Sequence, residues 1–127
     1  MKNRSVLLLT SIILLGFGCK KQAANDCLQV KVIRITCAST VLQVLNNDAV
    51  GADGWADIYN NNARYDNVFS ASNACHIPSE YKVGNVLYVT VGKTGVNDCV
   101  QCALYDAPPA SSYEVKTMGN LPCGELK

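Results

Sequence analysis

The chain has 127 residues, a formal charge of +1 and only 17% charged residues. That length suits one small domain, and the near-neutral balance excludes the basic footprint that nucleic acid or another polyanion demands. The hydrophobic fraction of 49% is inflated by the N-terminal segment, and the remainder is a polar sequence rich in Asn, Ser, Thr and Gly.

In chain order, Lys2 and Arg4 precede an apolar run, Val6 to Phe17 (VLLLTSIILLGF), that ends at Gly18-Cys19. A short basic head, an apolar run of roughly 7–15 residues and small residues before a cut are the parts of an export signal. A spanning helix needs about 20 apolar residues, and Lys20-Lys21 closes this run first. The ending Gly16-Phe17-Gly18-Cys19 resembles the lipobox of bacterial lipoproteins. It departs from the usual box at Gly16, where leucine is common, and at Phe17, which is bulkier than the customary residue. The resemblance is confined to this segment. It implies cleavage between Gly18 and Cys19, with palmitate-type acyl chains on Cys19. It also implies a lipid anchor in the cell envelope, with the outer membrane favoured because Lys20 replaces the aspartate of inner-membrane retention. The periplasmic and surface faces both remain open. The competing reading is ordinary secretion with a cut after Ala24, for which Gln22 is a poor match.

The expected organisation is a signal peptide (1–18), a lipidated polar tether (19–26) and one β domain (27–127). Loss of Lys2 and Arg4 with the signal leaves 9 of the 11 basic residues against all 10 acidic ones. Within the domain, Leu28 to Thr36 is rich in β-branched residues, with Leu28, Val30 and Val32 on one face. An unbulged strand would place Cys27, Ile33, Ile35 and Cys37 together on the other. Thr40 to Leu45 reads as a second strand. Asn46 to Gly54 is a loop by composition, Trp55 to Tyr59 a short strand, Asn60-Asn61-Asn62 a turn and Tyr65 to Ser70 a further strand. Ser72 to Glu80 is loop-like. Asn85 to Val91 is the clearest strand, Val100 to Tyr105 is expected to follow as another, and Ser112 to Met118 closes the series. Short strands at this spacing predict an all-β fold, a small antiparallel barrel (OB-like) or a sandwich.

Seven cysteines are the second strong signal. With Cys19 committed to lipid, Cys27, Cys37, Cys75, Cys99, Cys102 and Cys123 remain, an even set that reads as three disulfides in an oxidising compartment. Fifteen pairings are possible, and the sequence alone leaves them open.

Few residues suggest chemistry. Cys99-Val100-Gln101-Cys102 has redox spacing, but a redox motif needs a helix after the first cysteine, and strand residues and Pro108 follow instead. Its cysteines are expected to bond different partners. Cys75, His76, Cys99 and Cys102 could supply four zinc ligands, although the adjacency of Cys75 and His76 is awkward. Asn46 to Asp57 has some spacing of a calcium loop, with Asn46, Asp48, Gly51 and Asp57, but Val50 breaks the pattern. Asp48, Asp53, Asp57 and Asp66 share one region and read as solvated acids before they read as a catalytic pair. With one histidine and no nucleophile elbow, a hydrolase triad fails on inventory. Trp55, Tyr59 and Tyr65 are candidates for an aromatic docking patch.

The reading these residues support is a lipid-anchored, non-enzymatic binding or structural module. No cofactor is expected. The expected partners are the membrane, through the N-terminal lipid, and a protein or glycan. The alternatives are metal or redox activity at Cys75, His76, Cys99 and Cys102, or an inhibitor of an extracellular enzyme displaying a rigid loop from within 46–62.

Overall fold

The computed structural model describes residues 27–100 and 102–125; the expected signal segment, the expected lipidation site Cys19 and the expected tether lie outside the described residues. Seven strands form: β1 (Leu28–Ile35), β2 (Thr40–Val44), β3 (Trp55–Asp57), β4 (Ala63–Tyr65), β5 (Val68–Ala71), β6 (Val86–Gly92) and β7 (Ser112–Gly119). Among the described residues no helix is long and apolar enough to cross a membrane.

Five strands close into a barrel in the order β1-β2-β5-β7-β6, and β6 pairs back onto β1. Counted as barrel strands, this is 1-2-3-5-4, the order of OB-type barrels. The expected barrel is therefore present, with one difference: β5 and β7 run parallel, through Ser70↔Ser112 and Ala71↔Tyr113. β1 is long enough to serve two neighbours. Its first half pairs with β6 and its whole length from Val30 onward with β2.

The interior follows from period-two alternation. Leu28, Val30, Val32, Leu42, Val44, Phe69, Ala71, Leu87, Val89, Val91 and Val115 form one buried cluster, joined by Val50 from the β2–β3 loop. Phe69 is fully buried and meets Tyr113 edge-on, at 5.3 Å between ring centroids. Burying side chains of this size contributes about 1.5–3 kcal/mol each.

A bulge in β1 between Val32 and Arg34 breaks the alternation. It puts Ile33 and Arg34 on the outer face of the barrel, where Ile33, Val41 and Val68 form a second cluster covered by Trp55 and Tyr65. Ile33 and Ile35 are thus separated, contrary to the unbulged expectation, because the extra residue reverses the pleat. The β3–β4 hairpin is the cover. Its turn needs left-handed backbone at two successive positions, which Asn61 (φ 51°) and Asn62 (φ 57°) supply at lower cost than most residues.

The 46–54 segment folds back onto β5. Ala52 and Val68 exchange backbone hydrogen bonds of 2.7 and 3.0 Å. Gly51 (φ 102°) lies so close that a Cβ there would stand 2.4 Å from the carbonyl carbon of Asn67.

The expected strand over Val100 to Tyr105 is not seen among its described residues, 100 and 102–105. Two bridges and a buried aspartate hold that segment to other loops, so its backbone follows those anchors and not a ladder.

Candidate functional site

The six domain cysteines form three disulfides: Cys27–Cys123, Cys37–Cys102 and Cys75–Cys99. Cys99 and Cys102 bond different partners, as expected for a structural pair. The consequence is geometric. The long β6–β7 loop (93–111) is joined by Cys102 to the β1–β2 turn and by Cys99 to the short 3-10 turn at Ala74–His76, which follows β5. Three loops at one end of the barrel are thereby tied to one another.

Between these loops lies a crevice of about 380 Å³, within the usual range for small-ligand sites. Ile35, Thr40, Ser70, Ser72, Thr94, Asn97 and Ser112 contribute to its wall along with the four cysteines of the two loop bridges. Among the described residues no charged side chain belongs to that wall.

A second constellation is buried and polar. The Arg34 guanidinium donates from Nη1 to Asp57 Oδ1 at 3.1 Å and from Nη2 to Ser39 Oγ at 3.2 Å. It also lies 3.4 Å from Asp106 Oδ2. Ser39 Oγ donates to the same Asp106 oxygen at 2.6 Å, and Thr36 Oγ1 donates to it as well. The guanidinium stacks against Trp55 at 4.7 Å and Tyr59 at 5.5 Å. Cation–π contacts of this kind strengthen where water is excluded, and the side chains of Arg34, Asp57 and Asp106 are each at most 5% exposed. The network ties the β1–β2 turn, the hairpin and the 93–111 loop into one unit. Among the described residues Arg34 Nε has no hydrogen-bond partner.

The aromatic candidates come together, but two of the three serve the fold. Trp55 and Tyr65 pack at 6.1 Å between centroids over the outer cluster, and the indole N–H donates to the Ala107 carbonyl at 2.9 Å. Tyr59 is 56% exposed beside Ile58 at 49%, which leaves the hairpin tip as the accessible part. The 46–54 part of the segment proposed for inhibitory display is held against β5, and 55–57 pairs with 63–65.

The acids have separate duties. Asp53 accepts from Asn67 N, Asp66 from Gly54 N and Asp48 from Asn67 Nδ2, while Asp57 serves Arg34 and Tyr59 N. Asn46 bridges Gln29 N and the Cys27 carbonyl. These contacts account for the run that resembles a calcium loop: the polar residues fasten the loop to neighbouring backbone and side chains.

Of the four residues considered as zinc ligands, Cys75, His76 and Cys99 are together, while Cys102 is bonded elsewhere to Cys37. Asp98 stands in its place, 3.1 Å from His76 Nε2. Sequence reasoning missed Arg34, Asp98 and Asp106. The one local signal was a charge inside the apolar run Val32-Ile33-Arg34-Ile35.

Comparison with family models, with curated proteins and with solved structures finds no match.

Proposed function

We propose that the chain is a lipid-anchored envelope protein whose barrel works as a binding module, with Cys19 as its membrane attachment. The observation that carries this reading is the uncharged, hydroxyl-rich crevice walled by loops that two disulfides tie together. A wall of hydroxyl and amide groups suits a neutral hydrogen-bonding ligand, and a neutral glycan is the class it fits best. Pre-tied loops reduce the ordering entropy that binding must otherwise overcome. This reading is non-enzymatic: in the oxidised domain the six cysteines are engaged in bridges and the buried carboxylates in the Arg34 network.

Binding of the oxidised domain to an array of neutral envelope and host glycans tests the crevice. Ser72→Arg places a long charged side chain in its wall. Signal lost in Ser72→Arg, with thermal unfolding unchanged, supports the site; binding retained in that variant refutes it.

A further inference from the structure

Two dipeptides face each other at the surface, Cys75-His76 from the 3-10 turn after β5 and Asp98-Cys99 from the 93–111 loop. Cysteine is bonded to cysteine, and His76 Nε2 meets Asp98 Oδ1 at 3.1 Å. One ligand atom from each of the four residues lies within 4.8 Å of the others.

We propose that this cluster is a redox-gated zinc site, closed while Cys75–Cys99 is a disulfide and open to one Zn²⁺ when that bridge is reduced. The inference goes beyond the crevice reading; Cys75 and Cys99 also wall that crevice, and the test reads metal uptake, which glycan binding does not affect.

The donor set is two thiolates, one imidazole and one carboxylate, all ordinary zinc ligands. With zinc–sulfur bonds near 2.3 Å and zinc–nitrogen or zinc–oxygen bonds near 2.0 Å, a tetrahedron has edges of about 3.3–3.8 Å. The observed spread contracts by about 1 Å to reach that, while reduction frees the sulfurs to separate. The site is also open to ions, since the His76 and Asp98 side chains are 56% and 67% exposed. Cys75 N–H already donates to Cys99 Sγ at 3.2 Å, so the two dipeptides are held in contact by backbone as well as by the bridge.

The Cys75–Cys99 bridge is the one the fold needs least. It closes a separation of 24 residues, against 65 and 96 for the others, and shorter loops restrict the unfolded chain less. Cys75 is exposed, so an attacking thiolate has access. The reductant is a protein or small-molecule dithiol. One of its thiolates attacks Cys75 Sγ to form a mixed disulfide, and Cys99 leaves as the thiolate. The second thiol then attacks the mixed disulfide and releases the Cys75 thiol, leaving the reductant as its own disulfide. Zinc binding to the two sulfurs releases any protons they still carry.

The test uses the oxidised protein titrated with a dithiol, with alkylation mapping to identify which bridge opens, followed by removal of the reductant under argon. Co²⁺ then reports tetrahedral thiolate coordination by its absorption, and Zn²⁺ displaces it in competition. The expected result is alkylation first at Cys75 and Cys99, one metal per chain in the reduced protein, and none in the oxidised protein at the same concentration. His76→Ala and Asp98→Ala each weaken zinc by about tenfold or more, since even outer-sphere partners cost about that much. Prior opening of another bridge, no metal uptake after reduction, or affinity unchanged in both variants overturns the proposal.

Discussion

Arg34→Met removes the cation that pairs with both Asp57 and Asp106 while keeping an unbranched apolar stem against Trp55. Wild-type Arg34 meets those carboxylates at 3.1 and 3.4 Å, with side chains 5%, 5% and 2% exposed. The variant therefore leaves two acids in a site that excludes water. Breaking a buried pair costs about 3–5 kcal/mol, much of it the desolvation of the charge left behind. Asp106 keeps its donors Thr36 and Ser39, and Asp57 keeps Tyr59 N, which holds the loss within that range. Against a total stability of about 5–15 kcal/mol the effect is severe. The assay is urea unfolding of the oxidised protein, followed by fluorescence of the single tryptophan, Trp55, which stacks on the mutated group. With a slope of about 1.5 kcal/mol/M the midpoint falls by about 2 M or more. Arg34→Met combined with Asp57→Leu and Asp106→Leu removes every charge and should recover most of the loss. A cost below about 1 kcal/mol for Arg34→Met, the worth of a solvent-exposed pair, refutes the reasoning. So does a triple variant no more stable than the single one.

Gly51→Ala forces a Cβ to 2.4 Å from Asn67 at φ 102°; a loss of about 2–4 kcal/mol in thermal unfolding is expected, and a neutral result contradicts the close approach. Phe69→Ala empties the barrel centre and should cost about 3–5 kcal/mol, whereas Ile58→Ala at the 49% exposed hairpin tip should stay within about 0.5 kcal/mol. Replacing Cys27 and Cys123 together by serine should cost about 4–5 kcal/mol on a chain-entropy reckoning, and Cys75 with Cys99 about 3–3.5 kcal/mol. Denaturant midpoints that reverse this order contradict that account. Cys19→Ser should abolish incorporation of labelled palmitate and move the protein out of the membrane fraction.

The barrel was legible because its interior strands alternate in the plain way. Leu28, Val30 and Val32 in β1, and Leu87, Val89 and Val91 in β6, point inward at every second residue. The disulfide count followed from parity once Cys19 was set aside, but the pairing did not, since Cys27 meets Cys123 across 96 positions and nothing local encodes that. The outer layer was illegible for a related reason. A one-residue bulge at Val32–Arg34 turns Ile33 and Arg34 to the face that alternation assigns to solvent. Burial of Arg34 then depends on Asp57 and Asp106, 23 and 72 residues away. The segment 100–105 has the composition of a strand, yet long-range anchors at Cys99, Cys102 and Asp106 decide its path. In the candidate crevice no single residue carries a signal, because ordinary serines and threonines acquire meaning only when three loops are tied together.

The most direct test of the anchored, disulfide-tied module is mass spectrometry of the protein isolated from bacterial membranes without reduction. The account predicts a mature N-terminus at Cys19 carrying acyl chains, with cross-linked peptides pairing Cys27 with Cys123, Cys37 with Cys102 and Cys75 with Cys99. An unlipidated N-terminus beyond Cys19, or cross-links in any other pairing, contradicts it.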